Sequence, residues 1–257
     1  MITEYFTKLH NFILDILFPV HCLRCQKYND WICEKCFSKI NILQVQFCPY
    51  CEKIISPNGR ICQQCKNKFL KTNEIWPLDG LIASATYGKN GVSDLIYCFK
   101  YNFISDLGLP LARILCKAFL LNNLFLPDII IPIPLHQKRL RWRGFNQAEI
   151  LANYFAENIT PGFSVSVISN FIIRKKYTGA QMKIKNYQER QKNVRNIFTL
   201  NKKFLQPKIL EGKTVLLIDD IATTGSTLFE AGRIIKLAGA VKVFAIVIAR
   251  QEIKNTK

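Results

Sequence analysis

Two adjacent carboxylates, Asp219 and Asp220, follow the apolar run Thr214-Val-Leu-Leu-Ile218 and precede Ile221-Ala222-Thr223-Thr224-Gly225-Ser226-Thr227. The loop residues are small, and four of them carry hydroxyls. Such a loop, opening a helix with free backbone N–H groups, forms a cradle for a phosphate. The acids would repel a phosphate. They suit sugar hydroxyls, as hydrogen-bond acceptors, or a magnesium ion. The stretch therefore asks for a ligand with a phosphate at one end and a diol nearby. The elements around it fit that demand. Thr214 to Ile218 reads as a buried strand, and Ser226 or Thr227 opens a helix with Leu228, Ala231, Ile234, Ile235 and Ala238 at helical spacing. In an α/β sheet, ligands sit beyond the carboxyl ends of the strands.

A second chemistry-bearing set is cysteine. Cys22/Cys25, Cys33/Cys36, Cys48/Cys51 and Cys62/Cys65 are four Cys-x-x-Cys pairs, eight of the ten cysteines of the chain. Each pair can offer two thiolates to a tetrahedral zinc, and two pairs close a site, so eight thiolates make two Cys₄ centres. Sequential pairing closes the shortest loops: Cys22, Cys25, Cys33 and Cys36 at one centre, Cys48, Cys51, Cys62 and Cys65 at the other. An interleaved arrangement also satisfies the ligand count. The segment is too short and polar to build its own core, so metal would provide much of its folding energy. Disulfides are disfavoured in a cytosolic chain. Cys48-Pro-Tyr-Cys51 matches the glutaredoxin tetrapeptide but lacks its βαβ setting, and no pair is followed by the His of a c-type haem site. An iron–sulfur cluster is the remaining alternative, since thiolates alone do not choose the metal. His21 adjoins a ligand without being needed as one.

The strand-like run Asp128–Pro132 delivers Ile133-Pro-Leu-His136 and then Lys138, Arg139, Arg141 and Arg143. Cations beyond a strand end form a second anion site. The alternative is a solvated basic turn. Residues 172–195 hold eight basic side chains against Glu189, beginning with Arg174, Lys175 and Lys176. Trp142, Tyr177 and Tyr187 are interleaved with these cations. Cations for phosphates and aromatic faces for unstacked bases suit single-stranded DNA. The same segment reads as a polar helix near 185–193. His136 is a conceivable acid/base, although a lone loop histidine is more often a surface residue.

At 257 residues the chain holds one moderate domain and a small one. Its net charge of +18 favours phosphorylated or polyanionic partners. No apolar run approaches the ~20 residues that span a bilayer. Glu4 and the lack of a small-residue cleavage site argue against a signal peptide, giving a cytoplasmic expectation. Ile2, Tyr5, Phe6, Leu9, Phe12, Ile13, Ile16 and Leu17 predict an amphipathic helix over residues 1–19, packed on the protein or lying at a membrane surface. The zinc-binding segment occupies 20–75. Trp76-Pro77 and Asp79-Gly80 mark a boundary, and 76–257 forms the larger domain. There Leu81–Tyr87 and Val241–Ala249 read as strands, and Val92–Tyr101 and Leu107–Leu121 as helices. Cys98 and Cys116 fall on those helices as core thiols. The strand–helix alternation from residue 128 onward predicts an α/β fold with a doubly wound parallel sheet.

The Asp219–Thr227 stretch resembles the 5-phosphoribosyl-1-pyrophosphate (PRPP) motif of type I phosphoribosyltransferases. The wider set resembles the competence-protein ComF family: Ile131-Pro-Ile-Pro-Leu135, Arg139, Arg143-Gly-Phe-Asn-Gln147, Arg174, Thr178, Gln181, Arg190, Asn193 and Phe198, after a double zinc ribbon. The resemblance implies a type I phosphoribosyltransferase-like sheet preceded by a small zinc-ribbon domain with two structural zinc ions. It implies Asp219 and Asp220 on the ribose hydroxyls, as the catalytic pair if the protein is an enzyme. Ala222, Thr223, Thr224, Gly225, Ser226 and Thr227 would hold the 5′-phosphate. Arg139 and Arg143 would face pyrophosphate, and Mg²⁺ would accompany PRPP. It further implies a cytoplasmic role in DNA uptake during natural transformation. Lys138, Arg141, Arg174, Lys175, Lys176 and Tyr177 are the residues assigned to single-stranded DNA. Three activities stay open: glycosyl transfer from PRPP to an unknown acceptor, ligand sensing without turnover, and an adaptor whose ribbons dock a helicase or recombination protein.

Overall fold

The computed structural model describes residues 19–88, 91–177, 196–204 and 208–251. The expected N-terminal helix, most of the basic segment beyond Tyr177 (Tyr187 included) and the last residues lie outside them. The chain divides into two compact units, residues 1–41 and 42–257.

In the first unit the short helix α1 (Glu34–Phe37) follows Cys33, and Cys36 and Phe37 are buried. The second unit begins with the second cysteine quartet and α2 (Gln63–Thr72), which opens directly after Cys62. Next come β1 (Gly80–Thr86), α3 (Val92–Tyr101), α4 (Gly108–Leu121), β2 (Ile129–Pro132), α5 (Gln137–Arg143), α6 (Gln147–Asn158) and β3 (Ser166–Val167). The hairpin strands β4 (Ile172–Arg174) and β5 (Phe198–Leu200), then β6 (Thr214–Ala222), α7 (Ser226–Leu237) and β7 (Lys242–Arg250), complete it.

The main sheet has the order β1-β7-β6-β2-β3 and is parallel throughout. β4 and β5 pair antiparallel on their own. Helices α4 and α6 pack against the sheet and each other, and α7 packs on β6 and β7. A parallel sheet with both faces covered needs continuous apolar strands. Thus Val215, Leu216, Leu217 and Ile218, and Val243 to Ala249, are all buried. α7 presents Leu228, Ala231 and Ile235 to a core shared with Val215, Leu217, Val243, Ala245 and Val247. Gly232 is required there, because a Cβ would stand 2.5 Å from the Pro77 carbonyl oxygen.

The topology fixes where a ligand can sit. From β2 the chain moves outward to β3. From β6 it moves the other way, to β7. The crevice between those two departures, at the carboxyl ends of β2 and β6, is the switch point of an α/β sheet. Registration deepens it. β2 pairs with β6 only as far as Pro132 opposite Ile218, whereas β7 accompanies β6 to Arg250 opposite Ala222. β6 is therefore longer than the apolar run suggests. Asp219 and Asp220 lie inside the strand, not beyond it, on a stretch whose β2 side is open. The basic run after His136 also has more order than a turn: Gln137–Arg143 is a helix, with the His136 ring nitrogen Nδ1 accepting from the Lys138 N–H at 3.2 Å.

Residues 42–61 pack onto the β1 end of this sheet. The Gln46 amide donates to the Ala83 carbonyl and accepts from the Ala83 N–H, both at 3.1 Å. Arg60 bridges to Gly80. Gly59 comes so close that a Cβ would meet the Leu81 carbonyl oxygen at 2.2 Å. By packing, then, the second quartet belongs with the sheet, although by sequence it reads with the first. Among the described residues no helix is long and apolar enough to cross a membrane.

Candidate functional site

A cavity of about 670 Å³ opens at the switch point. Its floor is the run Asp219 to Leu228, so both acids and all of Ala222, Thr223, Thr224, Gly225, Ser226 and Thr227 line it. Gly225 caps α7 with φ of 73°, the left-handed region that favours glycine, turning the chain from strand into helix within four residues. The hydroxyls of Thr224 and Ser226 are 2.7 Å apart and buried, and the Ser226 N–H points to Thr224 Oγ1 at 3.4 Å. A helix start with buried hydroxyls and available N–H groups is suited to phosphate oxygens.

Asp220 is buried and pairs with Lys100 at 2.9 Å. Asp219 Oδ1 accepts the Asp220 N–H at 2.9 Å. Burial, reinforced by the Asp220 charge next to it, pushes the Asp219 carboxyl up to about 7, against the pull of Lys100 and Arg174. The folded state thus holds this proton more readily than the unfolded chain. The contribution of Asp219 to stability is full at low pH and is lost as pH rises through about 7. The same titration should act on a diol ligand, which the ionised carboxylate accepts from. Affinity for ribose 5-phosphate should rise between pH 6 and 8, and Asp219→Asn should remove the part of that rise that ionisation of the phosphate itself, near pH 6, does not explain. Calorimetric titrations of both proteins across that range are the check. Identical profiles would refute the assignment.

The opposite wall is cationic. Arg139, Arg143 and Arg174 line the cavity with Trp142 and Tyr177. Arg143 is buried, bonds Gln147 Oε1 at 2.9 Å, and lies over the Tyr101 and Trp142 rings at 5.4 and 5.9 Å. Its Nε and the Gln147 Nε2 have no acceptor among the described residues. Both side chains line the cavity, so two buried donors stand where a ligand with acceptor oxygens would satisfy them. Lys138 and Arg139 both lie over the Tyr177 ring, at 5.7 and 5.8 Å. Arg141, Lys175 and Lys176 are exposed and do not line the cavity. His136 caps α5 and packs edge-on against Tyr177, and it too lies outside the lining.

Lys100, Tyr101, Asn146, Gln147 and Gln251 join the site without having been singled out as site residues by sequence. Asn146 and Gln147 end the stretch Arg143-Gly-Phe-Asn-Gln147. Asn146 caps α6 through its side chain and donates to the Ile133 carbonyl at 3.2 Å, tying the helix start to the end of β2. Lys100 gives no local signal, because α3 reaches the acids only through tertiary packing.

Away from the cavity, the sulfurs of Cys22, Cys25, Cys33 and Cys36 lie within 4.8 Å of one another, as do those of Cys48, Cys51, Cys62 and Cys65. Tetrahedral zinc–thiolate bonds of about 2.3 Å put sulfurs about 3.8 Å apart, so both quartets fit zinc. Backbone N–H groups reach inward to sulfur, Cys33 N to Cys22 Sγ at 3.5 Å and Cys62 N to Cys48 Sγ at 3.3 Å, and orient the ligands. The geometry brings together the sequential quartets. Cys116 is buried and Cys98 half-buried on their helices, outside both clusters.

The comparisons agree with both halves. Residues 142–256 match the phosphoribosyl transferase domain and residues 13–66 the double zinc ribbon domain. Competence protein F of Haemophilus influenzae is 28% identical over 241 residues, covering 91% of this chain and 98% of its own. The chain is similar to ComF-type competence proteins along most of its length. Other relatives carry related names. DNA utilization protein YhgH of Escherichia coli is 27% identical, over 82% of this chain and 87% of its own. Competence protein ComFC of Bacillus subtilis is 24% identical, over 80% and 78%. The fold is a phosphoribosyltransferase-like parallel sheet with a double zinc ribbon at the N-terminal end, and the cysteine clusters are structural zinc sites.

Proposed function

We propose that the cavity binds PRPP or another ribose 5-phosphate ligand, and that the cationic face beside it holds single-stranded DNA during DNA uptake. One observation carries the first part. An acid pair, a hydroxyl-rich helix start and buried arginines converge on one cavity at the switch point of the sheet. Residues 222–227 hold the 5′-phosphate. Asp219 and Asp220 accept the ribose hydroxyls. Arg139 and Arg143 face the pyrophosphate end, with Gln147 completing the donor set. Mg²⁺ bound with PRPP would neutralise pyrophosphate charge and keep several of its waters. If an acceptor attacks the ribose, the bond from C1 to pyrophosphate breaks and positive charge develops on the ring. The acid pair then lies close to that charge, and the arginines close to the leaving group, so this chain's own contribution is positioning and charge stabilisation. Calorimetry with PRPP and Mg²⁺, then measurement of pyrophosphate release with candidate acceptors, is the test. Binding without release under any acceptor would favour a sensor, and no binding would reject the pocket.

The DNA part rests on the names of the relatives and on a surface feature. Tyr97, Tyr101, Phe103 and Trp142 are exposed yet in mutual ring contact, at 5.0 to 6.3 Å, with Tyr101 and Trp142 reaching the cavity rim. Cations of α5 flank them. Such rings accept unstacked bases and favour single strands over duplex. Labelled oligonucleotides at two salt concentrations should show tighter binding of the single strand, with a log–log salt slope of about −0.7 per phosphate neutralised. The triple change Lys175→Ala, Lys176→Ala, Tyr177→Ala should weaken it. Equal affinity for both forms, or no effect of the triple change, would reject this assignment.

A further inference from the structure

The second zinc ribbon abuts the phosphate loop through a short chain of contacts. Tyr50 stands between the ligands Cys48 and Cys51. Its hydroxyl accepts the Leu78 N–H at 2.8 Å and donates to the Leu78 carbonyl at 2.9 Å. Its ring lies 5.0 Å from that of Phe229 and edge-on to Phe69 of α2 at 5.1 Å. Phe229 sits in the first turn of α7, and its N–H is bonded to the Gly225 carbonyl at 2.9 Å. A Cβ on Gly225 would already be 3.2 Å from the Phe229 ring, so the ring fixes how that turn is seated. A second link runs in parallel. Glu52, which closes the same knuckle by an N–H bond to the Cys48 carbonyl, is ion-paired with Arg250. Arg250 is the register partner of Ala222, and the Gln251 N–H bonds the Ala222 carbonyl at 3.1 Å. Both ends of the loop 222–227 are thereby braced by the knuckle Cys48–Glu52.

We infer that Tyr50 is a positioning residue for the phosphate loop, and that metal at Cys48, Cys51, Cys62 and Cys65 governs affinity for ribose phosphate. This rests on the ribose-phosphate reading of the cavity. Stripping that metal, or oxidising its thiols, releases Tyr50 and Glu52, and the loop loses its seat. Among the described residues of its own unit the first quartet has no such link, so the two zinc sites differ in role. The coupling is reciprocal by linkage: ligand in the cavity must hold metal in the second site as much as the metal holds the ligand.

The test uses the full-length, zinc-loaded protein with ribose 5-phosphate as probe. Zinc release to a chromogenic chelator is followed with and without saturating ligand. At equilibrium with the chelator, one of the two zinc ions should be held about tenfold more tightly when ligand is bound, within the range usual for coupled sites. Tyr50→Ala, with zinc content and melting temperature measured on the same sample, should bind ribose 5-phosphate about tenfold more weakly while still folded, and Tyr50→Phe should recover part of that loss. A purely structural tyrosine would lower the melting temperature and leave both affinity and ligand-dependent zinc release unchanged. That result would overturn the inference. Failure of the unmodified protein to bind ribose 5-phosphate or PRPP would instead overturn the pocket reading, and this inference with it.

Discussion

The double change Asp219→Asn with Asp220→Asn should leave a folded protein that binds PRPP roughly 30- to 1000-fold more weakly, the loss of charge-assisted bonds worth about 2–4 kcal/mol. Folding should survive because the two acids are a source of strain in the free protein. Their mutual repulsion and burial are what hold the Asp219 proton up to about 7. Neutral amides keep the shape and remove that repulsion. The cost falls on Lys100, which loses the Asp220 partner it holds at 2.9 Å and is left largely buried. Lys100→Met in the same background is therefore the control for stability. It should restore any lost melting temperature without restoring affinity. Calorimetry with PRPP on the folded variants reads the outcome. Unchanged affinity in the double variant would remove the acids from the ligand site.

Metal removal should have an equally large effect, and an unequal one across the two ribbons. Freshly purified protein should contain two zinc ions per chain, since both quartets hold their sulfurs within 4.8 Å. Structural zinc commonly contributes about 10–16 kcal/mol of apparent binding energy, more than most domains have in stability. Cys22→Ser with Cys25→Ser should unfold residues of the first unit and leave the melting of the sheet nearly unchanged. Cys48→Ser with Cys51→Ser should lower it substantially, because Gln46, Gly59, Arg60 and Tyr50 are built into the β1 end of the sheet and into α7. Calorimetric melts of both variants separate the two. Absence of zinc, with thiols oxidised in fresh protein, would refute the metal assignment, and equal loss in both variants would refute the division of roles.

Sequence alone determined the parts whose information is local. Strand-then-hydroxyl-loop chemistry around Asp219 to Thr227, the four Cys-x-x-Cys pairs and the alternation of apolar runs with helical spacing are each read within a few residues. They gave the fold class, the family resemblance and the expected ligand chemistry. Tertiary structure decided what depends on distant residues meeting. Asp219 and Asp220 stand inside β6 because β7 pairs on to Arg250 while β2 stops at Pro132, a matter of strand lengths in register. Choice between sequential and interleaved cysteine quartets rests on sulfur distances, which spacing leaves open. Lys100 reaches Asp220 across 120 positions of sequence, and α3 carries no local mark of it. The second ribbon packs with the sheet because Gln46, Arg60 and Tyr50 find their partners on β1 and α7. Short-range patterns fix which groups are present. Only the packing of strands and helices fixes which of them share a cavity.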